Sequence, residues 1–310
     1  MKNCLLIGGA GFIGNNLSVC LGEAGYGVTI CDCIDKECLS RKFSKLKYLC
    51  IDYFEQAIDD EIIRKQDIII LLISSVGPNS SMESPEQCYG KDIIKMLELL
   101  EQMRRCNVKK LVFISSGGTV YGNQNSDKLR EDMNTIPINH YGIMKLTQEK
   151  ILLMYNNLYG MSNVIFRLAN PYGPGQRASS GIGAVTVFLQ SIINGETIHI
   201  YGEGKAVRDY IYIDDAVNMM RMFLDAEMEK CEVPVFNIGT GLGKSIIEVL
   251  ETIEAVTGKK TKTEFFSGRK IDVSRNVLDM SKVYSVIGEY KCLTLEEGVR
   301  KYYDLLKCEE

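Results

Sequence analysis

Short apolar runs alternate with amphipathic stretches through the first half of the chain. Six of these runs have the length and composition of strands, at residues 4–7, 27–33, 47–51, 67–74, 109–116 and 163–168. The run Ile68-Ile-Ile-Leu is apolar without alternation, which is typical of strands covered by helices on both faces of a parallel sheet. Helical patterns separate most of the strands, at residues 13–24, 86–106 and 139–159. This order predicts an α/β fold built on a Rossmann-type, doubly wound parallel sheet.

The pattern changes after about residue 168. Residues 170–183, NPYGPGQRASSGIG, are rich in Gly, Pro and Ser and predict a loop. Further helices are indicated at residues 185–194, 214–224 and 244–256, with strands at 197–200 and 235–238. A terminal helix begins with the capping-box pair Thr294 and Glu297. We expect a Rossmann domain over residues 1–168 and a smaller C-terminal α/β domain, which binds substrate, over 169–310.

The charge and the apolar content of the chain argue against two classes of partner. The 36 Lys and Arg side chains against 40 Asp and Glu give a net charge of −4, unlike the basic footprint of a nucleic-acid-binding protein. The longest aliphatic run, residues 68–73, is far too short to cross a bilayer, and the N-terminus resembles a first strand rather than a signal peptide. We therefore expect a cytoplasmic protein with no nucleic-acid or membrane partner.

The 11 cysteines and two histidines form no pattern typical of a metal site. Cys31 and Cys33 make a C-x-C pair, but no second Cys or His pair has the spacing of a metal site. We expect free thiols that pack as small apolar side chains in a reducing compartment, and no metal.

A glycine-rich loop follows the first predicted strand and opens the first predicted helix. It has the pattern G-x-x-G-x-x-G, with Gly8, Gly11 and Gly14. Glycine permits a tight turn and a close backbone approach to a pyrophosphate, while the helix N-terminus directs partial positive charge at it. Asp32 ends the second strand, where a carboxylate accepts hydrogen bonds from the adenosine ribose and repels a 2′-phosphate. The pattern predicts a dinucleotide site that prefers NAD to NADP, although Lys36 and Arg41 lie nearby.

Tyr141 and Lys145 form a Y-x-x-x-K pair on a predicted helix, which places both side chains on one face. A phenol with an ordinary pKa of about 10 is a poor base at neutral pH. A nearby ammonium group and a positive nicotinamide ring would favour the phenolate. Tyr141 is therefore the candidate base, taking a proton from a substrate hydroxyl as hydride leaves the same carbon for NAD⁺. Lys145 is also expected to anchor the nicotinamide ribose.

Three further motifs occur in the chain: Phe113-Ile-Ser-Ser-Gly-Gly-Thr-Val-Tyr-Gly122, Arg167-Leu-Ala-Asn-Pro-Tyr-Gly-Pro-Gly175 and Val207-Arg-Asp-Tyr-Ile-Tyr-Ile-Asp214. With these motifs the chain resembles, over nearly its whole length, the extended short-chain dehydrogenases/reductases, specifically the NAD-dependent nucleotide-sugar epimerase/dehydratase family. Within it the UDP-glucose 4-epimerases are the most similar. The resemblance implies a tightly held NAD that is reduced and reoxidised within one catalytic cycle. It also implies a homodimer joined by two helices of each subunit, here those at residues 86–106 and 139–159.

The resemblance also implies roles for individual residues. Cofactor contacts are implied for Gly8, Gly11, Phe12, Ile13, Gly14, Asp32, Asp52, Tyr53, Leu72, Ser74, Tyr141 and Lys145. Contacts with a UDP-sugar substrate are implied for Thr119, Asn170, Val185, Tyr201, Arg208 and Arg269. Arg208 and Arg269 are expected to hold the diphosphate, because a planar guanidinium binds phosphate oxygens in pairs.

The chain departs from the family pattern at several of these motifs. Gly117 stands where the family has a Ser or Thr that acts as third catalytic residue. Ser116, Thr119 or a water molecule can supply that hydroxyl, and Ser116 is our choice. Leu71-Leu-Ile-Ser74 replaces the usual His-Leu-Ala-Ala, and Asp92 replaces an Asn on the following helix. Because of these changes, the family pattern does not assign which residues contact the nicotinamide.

The acids and bases that the motifs retain indicate which reaction the protein catalyses. Family members that dehydrate their substrate carry Asp-Glu where this chain has Gly118 and Thr119, neither of which acts as acid or base. With Tyr141 and Lys145 as the titrating groups, the sequence favours C4 epimerisation through a transient 4-keto sugar. Two alternatives stay open: reduction of a nucleotide-linked 4-keto-6-deoxy sugar, and a non-catalytic, cofactor-sensing role. Asn276, at the position that gates an N-acetyl group, leaves both UDP-glucose/UDP-galactose and their N-acetyl forms open.

Overall fold

The computed structural model of the protein describes residues 1–34, 46–178, 183–226, 233–268 and 273–309. The strands are β1 (Asn3–Ile7), β2 (Gly27–Asp32), β3 (Lys47–Cys50), β4 (Ile68–Leu71), β5 (Leu111–Ser116), β6 (Val164–Leu168), β7 (Asn170–Tyr172), β8 (Ile198–Tyr201), β9 (Val207–Tyr212), β10 (Val235–Ile238), β11 (Gly243–Ser245), β12 (Thr263–Phe266) and β13 (Arg275–Asn276). The helices are α1 (Phe12–Glu23), α2 (Asp60–Arg64), α3 (Ser80–Glu83), α4 (Pro85–Arg105), α5 (His140–Tyr159), α6 (Ala184–Asn194), α7 (Ile213–Asp225), α8 (Ile246–Thr257), α9 (Ser281–Ile287) and α10 (Leu295–Glu309). Every element predicted from the sequence is present, with its ends shifted by at most a few residues.

Seven strands form one sheet, in the order β10-β6-β5-β4-β1-β2-β3. β1 pairs in parallel with β2 on one side and with β4 on the other. The pairs β2–β3 and β4–β5 are parallel as well. The strand order reverses between β1 and β4, which confirms the predicted doubly wound Rossmann-type sheet. In sheets of this kind ligands bind at the carboxyl ends of the strands beside that reversal.

First-turn and capping residues determine where α4 and α5, the two helices beside this edge of the sheet, begin. α4 has Pro85 in its first turn, where the missing N–H costs nothing. α5 is capped by Asn139, whose side chain accepts a hydrogen bond from the Gly142 N–H at 2.8 Å. It ends at Gly160, which adopts a left-handed φ of 63°. α4 and α5 pack against each other, and Tyr141 falls in the first turn of α5.

The chain divides into two compact units. The first comprises Met1–Val120, Pro137–Arg167 and Glu227–Phe236, of which residues 233–236 are described. The second comprises Tyr121–Ile136, Leu168–Ala226 and Asn237–Glu310. Within the second unit, β9 pairs with β7, β11 and β13, while β8 pairs with β12. The division of cofactor and substrate roles at residue 168 stays a prediction.

None of the helices in the described ranges is long and apolar enough to cross a bilayer. The same ranges contain no group of three or more His, Cys, Asp or Glu side chains able to hold a metal ion. The thiols of Cys4, Cys31, Cys88 and Cys106 are free and buried. Burial raises the pKa of the Cys4 and Cys31 thiols to about 12, so these two are inert apolar groups at neutral pH.

Candidate functional site

The glycine loop between β1 and α1 leaves no room for side chains at two of its glycines. Gly8 has a φ of +82°, and a Cβ added there would lie 2.9 Å from the Ile73 Cβ. A Cβ on Gly14 would lie 2.4 Å from the Gly8 carbonyl oxygen. The start of α1 therefore packs directly on the loop backbone. Only glycine at these positions permits the close approach that a pyrophosphate-binding loop needs.

The N-terminus of α1 fits a bound anion. Gly11 occupies the N-cap position and supplies no side-chain cap, and the first turn carries no acidic residue. The first-turn N–H groups, at Phe12 and Ile13 among others, therefore have no capping side chain of this helix to bind them. Together with the helix dipole they form the arrangement that holds the pyrophosphate of a dinucleotide.

Asp32 lies at the carboxyl end of β2, beside the glycine loop. One oxygen of its buried carboxylate accepts a hydrogen bond from the Ala10 N–H at 3.0 Å, and the other accepts one from the Ile34 N–H at 3.3 Å. The carboxylate is thus fixed against the loop, at the place where an adenosine ribose is held in this fold. Lys36 and Arg41 lie outside the described residues.

The remaining predicted cofactor residues follow β3 and β4. Asp52 accepts a hydrogen bond from the Phe54 N–H at 2.9 Å, which fixes the turn after β3. The Tyr53 ring is buried, and its hydroxyl donates to the Lys95 carbonyl at 2.8 Å, so an adenine contact would come from the Tyr53 backbone. Leu72 is half-buried just after β4. The hydroxyl of Ser74 donates to Asp92 at 2.8 Å.

Tyr141 and Lys145 share one face of α5, as the Y-x-x-x-K spacing predicts. Lys145 is buried, and its Nζ donates to the Ile114 carbonyl of β5 at 3.3 Å. The same nitrogen lies 5.6 Å from the centre of the Tyr141 ring. The Tyr141 N–H donates to the Ser81 hydroxyl at 3.1 Å, which ties the start of α5 to α3. The pair is therefore held from β5 on one side and from α3 on the other.

The pKa of Tyr141 is shifted in the opposite direction to the one expected from a nearby ammonium group. Burial raises the pKa of the Tyr141 phenol, and the charges of Asp92 and Cys88 raise it further. Burial lowers the pKa of Lys145 to about 8, although Asp92 and Glu149 oppose that shift. The phenol is thus protonated at neutral pH despite the nearby ammonium group. A bound nicotinamide cation is the remaining group expected to favour the phenolate.

The turn after β5 holds the two hydroxyls considered for the third catalytic role. The Ser116 carbonyl accepts hydrogen bonds from the N–H groups of Thr119 and Val120 at 3.3 and 3.2 Å, which closes the turn. The Thr119 Oγ1 is buried and makes no hydrogen bond with the described residues. A Cβ on Gly142 would lie 3.0 Å from the Thr119 carbonyl oxygen, so the turn packs on the first turn of α5.

A buried ion pair behind Lys145 was not predicted. Arg167 donates to both carboxylate oxygens of Glu149, at 3.1 Å and 3.2 Å from Nε and at 2.7 Å from the second guanidinium nitrogen. The Ser115 hydroxyl donates to the same carboxylate at 2.5 Å. Glu149 follows Lys145 by one helical turn, so the sequence places it on the same face of α5 but does not indicate Arg167 as its partner. The network anchors the Lys145 face of α5 to β5 and β6.

Four of the predicted substrate residues lie in the second unit. Asn170 begins β7 and donates to the Asp209 carbonyl at 2.9 Å. The Arg208 guanidinium donates to the Val207 carbonyl at 2.9 Å, and the Tyr201 ring is exposed beside Phe266. Val185 is buried in the apolar core, so a substrate contact there would come from its backbone. Arg269 lies outside the described residues.

Comparison with known proteins places these features in one family. The model of the NAD dependent epimerase/dehydratase family matches residues 4–239. The crystal structure of a UDP-glucose 4-epimerase with UDP-glucose, from Thermotoga maritima, is 32% identical and superposes with a TM-score of 0.89 over 100% of both chains. A UDP-glucose 4-epimerase of Mycolicibacterium smegmatis is 29% identical over 98% of this chain and 98% of its own. A dTDP-4-dehydro-6-deoxyglucose reductase of Escherichia coli is also 29% identical, over 99% of this chain and 98% of its own. This chain belongs to the NAD-dependent epimerase/dehydratase family and shares its extended short-chain dehydrogenase/reductase fold and its NAD cofactor.

Proposed function

We propose that the protein catalyses C4 epimerisation of a UDP-sugar through a transient 4-keto sugar. Tyr141 and Lys145 carry this proposal, because they are the titrating pair held at the carboxyl edge of the sheet. The positions where dehydratases carry an acid and a base are occupied by Gly118 and Thr119. The chain therefore has the groups needed to move one proton at O4, and lacks at those positions the pair needed to expel water.

In this proposal NAD supplies the acceptor, and later the donor, of the C4 hydrogen. Tyr141 removes the O4 proton as the keto sugar forms and returns it when the epimer forms. Lys145, held by the Ile114 carbonyl, keeps a positive charge beside the phenol and binds the nicotinamide ribose. Ser116 donates a hydrogen bond to O4, in place of the hydroxyl that the family carries at Gly117.

We further propose that the nucleotide and the sugar are bound by Thr119, Asn170, Val185, Tyr201, Arg208 and Arg269. Two observations support this role in the second unit. The exposed aromatic ring of Tyr201 is suited to stacking on a base. The half-buried guanidinium of Arg208 is suited to a diphosphate. Asn276, paired in register with Arg208, is fully buried. Because an asparagine at this position leaves more room than a tyrosine would, the proposal includes glucose, galactose and their N-acetyl forms.

We propose that the protein works as a homodimer joined through α4 and α5. These helices expose large apolar side chains, which a dimer interface would remove from water: Ile94, Ile143, Met154 and Leu158. Light scattering behind size exclusion should give about twice the chain mass of 34.8 kDa. The variant Leu158→Asp should shift the mass toward one chain, and a wild-type mass of one chain would contradict the proposal.

The test is a panel of UDP-sugars given to purified protein without added cofactor, with product stereochemistry followed by NMR. Epimerisation at C4 is expected with at least one sugar. The variant Tyr141→Phe should lose at least about 100-fold in turnover while still binding NAD, because only the proton transfer is removed. Failure of every UDP-sugar to epimerise would contradict the proposal. An unchanged rate in Tyr141→Phe would contradict the role of the phenol.

A second candidate is reduction of a nucleotide-linked 4-keto-6-deoxy sugar. It is favoured by the 29% identity to the reductase of Escherichia coli, which equals the identity to the epimerase of Mycolicibacterium smegmatis. The same Tyr141 and Lys145 would serve it, with the phenol giving a proton to the keto oxygen. Turnover that requires a stoichiometric supply of NADH or NADPH would favour the reductase.

A further inference from the structure

Asp92 is a buried carboxylate on α4, where the family usually has asparagine. It is 3% exposed. Oδ1 accepts a hydrogen bond from the Ser74 hydroxyl at 2.8 Å, and both oxygens accept from the Ser75 N–H at 3.1 Å. The Ser75 hydroxyl donates to Oδ2 as well. The carboxylate therefore holds two successive residues of the segment that follows β4.

The serines and the carboxylate form a matched set. Ser74 ends the Leu-Leu-Ile-Ser segment that replaces the family's His-Leu-Ala-Ala, and Ser75 follows it directly. Three donors from these two residues converge on one side chain. A carboxylate accepts all three with two oxygens, whereas an amide presents one acceptor oxygen and two N–H donors of its own. Asp92 and the serine hydroxyls are thus chemically complementary in a way that asparagine would not be.

Asp92 also faces the catalytic helix. Its own carbonyl accepts a hydrogen bond from Gln148 of α5 at 3.3 Å, one turn beyond Lys145. One turn before Asp92, the Cys88 sulfur lies 3.5 Å from the Met144 sulfur. Residues 88 and 92 of α4 therefore line the same strip of α5 that carries Tyr141 and Lys145.

The titratable groups around this strip come from three elements. α4 contributes Cys88 and Asp92, α5 contributes Tyr141, Lys145 and Glu149, and the turn after β3 contributes Tyr53. The negative charge of Asp92 acts in the same direction on both members of the catalytic pair. It raises the pKa of Tyr141 and it raises the pKa of Lys145. Glu149 is ion-paired with Arg167, whereas Asp92 is bonded by neutral hydroxyl and amide donors.

We propose that Asp92 is a positioning residue of this site: it holds the segment after β4 through Ser74 and Ser75, and it places a negative charge against the strip of α5 that carries Tyr141 and Lys145. This inference rests on the proposed function only where turnover is the readout. The carboxylate fixes these two serines by accepting their hydrogen bonds, and its negative charge acts on Tyr141 and Lys145.

The test compares Asp92→Asn with Ser75→Ala in the NAD-loaded protein. Asp92→Asn keeps the size of the side chain, removes its charge and replaces one acceptor oxygen by a donor group. Loss of the charge should move both limbs of the pH profile of kcat to lower pH, by about one unit for a near neighbouring charge. Ser75→Ala keeps the charge and removes one donor, so neither limb should move down. A change that merely loosened the fold would lower kcat at every pH without moving both limbs together.

A second readout does not use a sugar. Tyrosine labelled with ¹³C at Cζ is titrated by NMR, and the Tyr141 signal is assigned by its loss in Tyr141→Phe. A lower Tyr141 midpoint in Asp92→Asn supports the inference, even if no UDP-sugar is turned over and the proposed function fails. An unchanged midpoint together with an unmoved pH profile overturns the inference, even if epimerisation is observed.

Discussion

Replacing Arg167 by methionine would leave the Glu149 carboxylate buried, with the Ser115 hydroxyl as its remaining side-chain donor among the described residues. The two side chains are 4% and 1% exposed, and the contact between them is 2.7 Å. Removing one partner of such a pair costs about 3–5 kcal/mol, because the other charge stays buried without compensation. We expect Arg167→Met to lower the free energy of unfolding by that amount, seen as a lower urea midpoint at unchanged m-value by far-UV circular dichroism.

Two further variants serve as controls for this prediction. Arg64→Met breaks an exposed ion pair with Asp60, and such pairs contribute less than about 1 kcal/mol. The double variant Glu149→Leu with Arg167→Met removes both charges and should recover most of the loss. A cost for Arg167→Met no larger than that for Arg64→Met would show that the pair is hydrated or dispensable. Failure of the double variant to recover would show that packing, rather than the lost charge, explains the effect.

Four further outcomes are expected. Gly14→Ala should weaken NAD binding at least tenfold by calorimetry, since its Cβ would meet the Gly8 carbonyl at 2.4 Å, whereas Gly90→Ala, with open space at its Cβ, should not. Asp32→Asn should lower NAD affinity by about 1.5–3 kcal/mol for the lost charged acceptor, and should narrow the preference over NADP; an unchanged ratio would refute the assigned role. Glu149→Gln should move the alkaline limb of kcat to lower pH, because Glu149 raises the pKa of Lys145 and its loss lets the ammonium deprotonate earlier. Ser245→Ala should cost about 1 kcal/mol in urea unfolding through loss of the capping box on α8, with NAD affinity unchanged.

The sequence predicted the sheet strands and the main helices because their apolar patterns are long. It did not predict β7, β9, β11, β12, β13, α2, α3 or α9. Most of these elements are too short to show a period, and β7 lies in the segment 170–183 that was predicted to be a loop. The helix predicted from residue 244 begins at Ile246, because Ser245 is used as its N-cap. The unpredicted elements have a weak apolar pattern. The error at the start of α8 arose because its N-cap residue was counted into the helix.

The residues of the candidate site also fall into two groups, those that the sequence could place and those that it could not. Gly8, Gly14, Asp32 and Tyr141 could be placed in the fold from the sequence, because each belongs to a motif with fixed spacing, while their roles in binding and catalysis stay predictions. The partners of Asp92 and Glu149 were not, since burial and charge compensation arise from residues far apart in the chain. The buried ring of Tyr53 shows the same limit, because the sequence places the residue after β3 but does not say which way its side chain points.

The seventh strand of the sheet has a consequence for how the chain can be cut and made. β10 is the neighbour of β6, yet more than sixty residues separate them along the chain. The Ile165 N–H donates to the Pro234 carbonyl at 2.9 Å, so the edge of the sheet is closed by residues synthesised much later. A fragment ending at residue 168 would leave β6 as a bare, apolar edge, which is a template for aggregation. During synthesis β6 stays unpaired on this side until residues 234–238 have emerged from the ribosome, so the sheet should be completed only after most of the chain has been made.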